Sequence, residues 1–104
     1  MNTELLIVFV NESDRIQHHS AADFIIRQAL ELGVAGASAF RAIDGFGKHH
    51  RLHHQTLLSM TDDEGAAILL SDTSEKLDIL ANTLSKAGVK ATTLRIQTTS
   101  TTYE

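Results

Sequence analysis

Cysteine is absent from this 104-residue chain. Its absence excludes disulfides, thiolate metal sites and cysteine nucleophiles, and it suits a reducing compartment, so the expected location is the cytoplasm. Long apolar runs are missing too. The stretch from Leu5 to Val10 is too short for a signal-peptide core with its flanks and far too short to cross a bilayer, so neither targeting nor direct membrane insertion is expected. Basic charge is also scarce. Nine Lys and Arg face thirteen Asp and Glu, a formal charge of -4 that argues against nucleic-acid binding, which needs a concentrated basic surface. Small molecules and proteins remain as partners.

What is present is the composition of an ordinary globular protein, 42% apolar and 21% charged. The length fits a single domain over residues 1–104, with 98–104 as a flexible tail. Leu5 to Val10 reads as a buried strand closed by Asn11. Both of its faces are apolar, whereas a strand with one face in water alternates apolar with polar residues. Helices in so short a chain cover only one side of a sheet. The other side is therefore expected to pack against sister subunits.

Ser20 is placed to cap a first helix with Asp23 in its first turn, Ala22, Ile25, Ile26, Ala29 and Leu30 on its buried side, and Gly33 as its stop. A strand over Ala37 to Ile43 leads into Gly45-Phe46-Gly47. A polar, histidine-rich loop follows over 48–56, then a possible strand over Leu57 to Met60 and an acidic turn from Thr61 to Gly65. Ala66 to Leu70 is another buried strand. Thr73 or Ser74 caps a second helix carrying Leu77, Leu80, Leu84 and Ala87, which stops at Gly88. Val89 to Gln97 closes the series as a half-buried strand, with Leu94 and Ile96 on one side and Thr93 and Arg95 on the other. The order is that of an α+β, ferredoxin-like βαββαβ sandwich with an antiparallel sheet.

The stretch from Gly36 to Lys48, with Ser38 two residues after the glycine and Gly45-Phe46-Gly47 before the lysine, resembles the segment by which PII signalling proteins enter their long T-loop. Glu12-Ser13-Asp14-Arg15, Arg51-Leu52-His53 and Asp72-Thr73 bring it closer to the small bacterial PII-like proteins, and the likeness covers most of the chain. The resemblance implies a homotrimeric regulatory protein for signal transduction. It would bind an adenine nucleotide such as ATP, ADP, AMP or a cyclic nucleotide in clefts between subunits, and grip a partner such as a membrane transporter or an enzyme through the loop after Gly47.

Carried over by position, Ser38 lies beside the base, Gly45 and Gly47 line the root of the loop, and Lys48 faces the phosphates, with Arg41 and Arg51 as weaker additions. The second phosphate loop of PII proteins has no room in Leu70-Ser71-Asp72-Thr73-Ser74, so triphosphate binding is not supported. A ligand with fewer phosphates or a different small anion fits equally, with Lys90 and Arg95 as basic partners. The tyrosine modified in PII proteins also lacks a counterpart in this loop.

An alternative rests on His49, His50, His53 and His54, whose i, i+4 spacing sets each pair on one face of a helix and makes them candidate ligands for zinc, copper or nickel. A trimer using them would be metal-binding or metal-responsive. Solvated histidines, or a loop whose positive charge grows on protonation beside Lys48 and Arg51, account for the same residues. Glu12, Asp14 and Asp72 read as turn and cap residues. No nucleophile elbow, Walker-type loop or paired-acid arrangement is present, so no catalysis is expected and no cofactor is required.

Overall fold

Strand β1 (Asn2–Asn11) grows from the apolar run at the start of the chain, where β-branched and aromatic residues favour an extended backbone. In the computed structural model, which describes residues 2–46 and 65–104, it is followed by two short strands, β2 (Arg15–Ile16) and β3 (His19–Ser20), paired as a hairpin. Helix α1 (Ala21–Glu31), β4 (Gly36–Arg41), β5 (Gly65–Asp72), α2 (Ser74–Lys86) and β6 (Thr92–Thr99) complete the order.

The main sheet is fully antiparallel, in the order β4-β5-β1-β6. Strands β1 and β4 are both antiparallel to β5, which separates them, and β5 and β6 are both antiparallel to β1. Each helix thus closes a split β-α-β unit, the ferredoxin-like arrangement expected from the sequence.

Both helices begin and end by the same local chemistry. Ser20, extended at φ -63° and ψ 156°, accepts from the Asp23 amide, and Thr73, at φ -67° and ψ 158°, accepts from that of Lys76. Thr73 rather than Ser74 is therefore the second cap. At the other ends, Gly33 (φ 73°) and Gly88 (φ 86°) take the left-handed conformation. The amides of Val34 and Val89 then reach back to the carbonyls of Ala29 and Leu84, at 2.9 and 3.1 Å. This pattern satisfies carbonyls left open by the last turn and places an apolar residue against the core.

The core lies between the helices and one face of the sheet. Leu6, Val8 and Val10 of β1 and Ala66, Ile68 and Leu70 of β5 meet Phe24, Ile25 and Ala29 of α1 and Leu77, Leu80 and Leu84 of α2, all buried. Each large side chain enclosed this way contributes about 1.5–3 kcal/mol.

The opposite face of the sheet is open. Register puts Leu5 beside Ile96, Ile7 between Leu69 and Leu94, and Phe9 beside Ala67, with Phe40 beyond it on β4. Phe9, Phe40, Leu94 and Ile96 are 43%, 56%, 49% and 48% exposed. Directly opposed residues share a face, so these side chains form one continuous apolar surface.

Several expectations are corrected. Leu30 lies outside the buried stripe of α1, at 80% exposure, because the helix meets the core through Ala21, Ala22, Phe24, Ile25 and Ala29. Strand β4 stops at Arg41 rather than Ile43: after the Ala42 amide bonds the Gly65 carbonyl at 2.8 Å the chain turns away. The last strand runs from Thr92 to Thr99, not from Val89 to Gln97, and it is exposed rather than half-buried because it is an edge of the sheet. Thr98 and Thr99, assigned to the flexible tail, belong to that strand, and the Thr3 hydroxyl bonds the Thr98 carbonyl at 3.2 Å. The strand over Leu57 to Met60 lies outside the described residues, as does the turn from Thr61 up to the residue before Gly65.

Candidate functional site

At the end of the sheet where β4 leaves and β5 returns, the backbone around Arg41 to Phe46 and Gly65 to Ala67 borders a groove of about 720 Å³. Three of the chain's four phenylalanines, Phe9, Phe40 and Phe46, line it, while Phe24 is in the core. Ala66, Ala67, Val10 and Thr92 complete its walls. Flat aromatic walls suit a planar apolar group.

Gly45 sits on the rim at φ 147°, a conformation that L side chains rarely adopt, with nothing within 4 Å of where a Cβ would stand. Backbone conformation, not space, requires glycine there. Arg41 and Asp44 are the charged residues among the described lining. The Arg41 side chain is 59% exposed and its Nη2 lies 3.9 Å from Oε2 of Glu12, whose other oxygen accepts from the Ala22 amide at 3.0 Å.

The remaining predicted site residues scatter. Ser38 lies on the open face of β4 opposite Leu69, two residues from Phe40 along the same face. Lys90 precedes β6 instead of lying on it. Arg95 faces the helix side, where its Nε donates to Glu4 at 2.7 Å and its Nη2 to Asp78 at 2.8 Å and to the Ser74 carbonyl at 2.9 Å. Burial works against its charge, yet Asp78 and Glu4 more than offset that and raise its pKa. It ties β6 to α2. Gly47, Lys48 and Arg51 lie outside the described residues, and so do His49, His50, His53 and His54. No group of three or more metal-ligating side chains occurs among the described residues.

The acidic residues read as turn and cap groups do hold backbone. Glu12 bonds the start of α1. Asp14 differs, in that its main-chain carbonyl, not its carboxylate, accepts from the Ala21 amide at 3.0 Å. Asp72 accepts from Thr73 at 2.6 Å and Ala35 at 2.8 Å; burial opposes its ionisation, but those amides and the Lys76 charge prevail and lower its pKa.

Sequence reasoning missed the aromatic lining and the contact between Glu12 and Arg41. The signal for the first was available: Phe9 and Phe40 fall on the strand face that the helices do not cover.

The family model of DUF190, described as Uncharacterized ACR, COG1993, matches residues 3–97. The chain belongs to the DUF190 family. A UPF0166 protein of Aquifex aeolicus (strain VF5) is 27% identical to this DUF190 chain over 74 residues, covering 71% of it and 70% of the relative. Among solved structures, CPII of Thiomonas intermedia K12, a nitrogen regulatory PII-like protein bound to ADP, AMP and bicarbonate, matches with a TM-score of 0.66 and 16% identity. That match covers 94% of this chain and 89% of the other. A PII-like signalling protein of Thermus thermophilus matches at 0.61 and 12% identity, over 94% and 90%. A DUF3240 family protein of Shewanella baltica matches at 0.69 and 13%, over 98% and 96%. The fold of this DUF190 protein is thus PII-like, as the resemblance implied.

Proposed function

We propose that this DUF190 protein is a cytoplasmic, non-enzymatic PII-like regulator that binds a small effector, an adenine nucleotide, and passes its binding state to a protein partner. The observation that carries this reading is the aromatic groove at the point where the chain leaves the sheet after Arg41 and rejoins it at Gly65. A ligand seated there touches both ends of the segment that separates them. The CPII structure with ADP, AMP and bicarbonate supports an adenine nucleotide as the ligand class.

The apolar open face supports self-association. In the proposed homotrimer, Leu5, Ile7, Leu94 and Ile96 pack against sister chains, and the groove becomes part of a cleft between subunits. Arg41 and Gly45 stand at that cleft, Ser38 lies along the same strand, and Gly47, Lys48 and Arg51 extend the site through the following segment. Arg95, with its donors engaged by Glu4, Asp78 and Ser74, is a structural tie in this reading. The effector acts as a switch only through unequal affinity for two arrangements of the segment after Gly47, since equal affinity shifts nothing.

Calorimetry with ATP, ADP, AMP and cyclic nucleotides, combined with light scattering, tests the proposal. Binding of at least one nucleotide by a trimer is expected. Silence across the panel removes the nucleotide, and a stable monomer of 11.4 kDa removes the cleft.

A further inference from the structure

Arg41 closes β4 on the helix side of the sheet, opposite Ala66, and is one of the residues lining the groove. Its one ion-pair contact among the described residues is Glu12, at 3.9 Å. That is too long for the short, paired hydrogen bonds a guanidinium makes with a carboxylate it truly grips. Glu12 is differently placed: its side chain is only 14% exposed, and its Oε1 is committed to the Ala22 amide at the start of α1. It cannot follow Arg41 toward the groove. Among the described residues Arg41 therefore has no closely bonded partner, while a fixed, poorly solvated negative charge stands behind it.

On the effector-binding reading above, we propose that Glu12 is a specificity-determining residue that offsets Arg41 and so limits how much negative charge the groove accepts in its ligand. Asp44 is the only other charged residue among the described lining, so the local balance rests on very few groups. With Glu12 counted, two acids stand against one base among the described residues. Neutralising Glu12 brings the sum to zero. Coulomb energy scales with the product of the charges, so the change is felt in proportion to ligand charge and not at all by a neutral ligand.

Glu12→Gln is the informative variant because its amide oxygen preserves the acceptor for Ala22 while the charge is removed. Affinities for adenosine, AMP and ADP are measured by calorimetry at low salt for the wild type, Glu12→Gln and Arg41→Gln. In Glu12→Gln the affinity relative to adenosine is expected to rise about threefold for AMP and further for ADP, the gain shrinking at high salt. In Arg41→Gln, where Glu12 and Asp44 lose their one basic counterpart among the described residues, affinity relative to adenosine should fall for AMP and further for ADP; this arm reads the same field should Glu12→Gln fail to fold. Equal changes for all three ligands, or none, overturn the role of Glu12 while leaving the effector reading in place. A wild type that binds none of them overturns both.

Discussion

The Ala35 amide donates to Oδ2 of Asp72 at 2.8 Å, joining the turn that leads into β4 to the far end of β5, 37 residues away. The second oxygen of the same carboxylate accepts from Thr73, the cap of α2. One side chain thus sets where an edge strand starts and where a helix begins. Its pKa is held below the ordinary 3.8 by these bonds, against the effect of burial. A carboxylate depressed in the folded state contributes stability above its unfolded value and loses that contribution as pH falls through the folded one. Asp72→Ala is expected to cost about 1–2 kcal/mol near neutrality. Urea denaturation should show the gap between wild type and variant closing as pH drops below 3.8.

The two-residue turn between β2 and β3 holds Gln17 at φ 51° and His18 at φ 71°. Positive φ at both central positions is the turn that matches strand twist, but it favours Asn-Gly over side chains such as these. Replacing the pair by Gln17→Asn and His18→Gly should stabilise the protein by about 1 kcal/mol. Chemical denaturation reads the gain, and a loss of stability would show that the native side chains hold contacts of their own.

Leu94 and Ile96 stand half exposed on the open face opposite Ile7 and Leu5. Leu94→Glu with Ile96→Glu is expected to leave the helical circular dichroism intact while dissociating the proposed trimer to monomers in sedimentation velocity, because charges cannot be buried unpaired in an apolar seam. An unchanged oligomer would place the contact elsewhere.

Arg95 joins β1, β6 and α2 through Glu4, Asp78 and Ser74. Arg95→Gln should lower stability by about 1–2 kcal/mol, as expected for loss of charge-assisted hydrogen bonds. Nucleotide affinity should remain that of the wild type. A parallel fall in affinity would return Arg95 to the binding site.

Much of the fold is legible without coordinates. Ser20 with Asp23 announced α1, Gly33 and Gly88 announced the helix ends, and the unbroken apolar character of Leu5 to Val10 announced a sheet with two greasy faces. The hairpin over Arg15 to Ser20 was not legible because Gln17-His18 lacks the glycine or asparagine that marks such turns. Leu30 misled because helical spacing identifies a stripe but not its width. Arg41 and Gly45, expected near the loop root from their position in the motif, both line the groove, while the approach of Glu12 to Arg41 was not legible, since Glu12 belongs to the turn after the distant first strand.

Caps, stops and strand character are decided within about four residues of each position, where side chains meet their own backbone, and that information is present in any reading of the chain. Which apolar face the helices cover, which carboxylate Arg95 meets across 91 residues, and how Phe9 comes to share a groove with Phe46 depend on the order and register of the strands. Those are set by global packing, in which one residue of slip sends every side chain to the opposite face, so only the assembled sheet decides them.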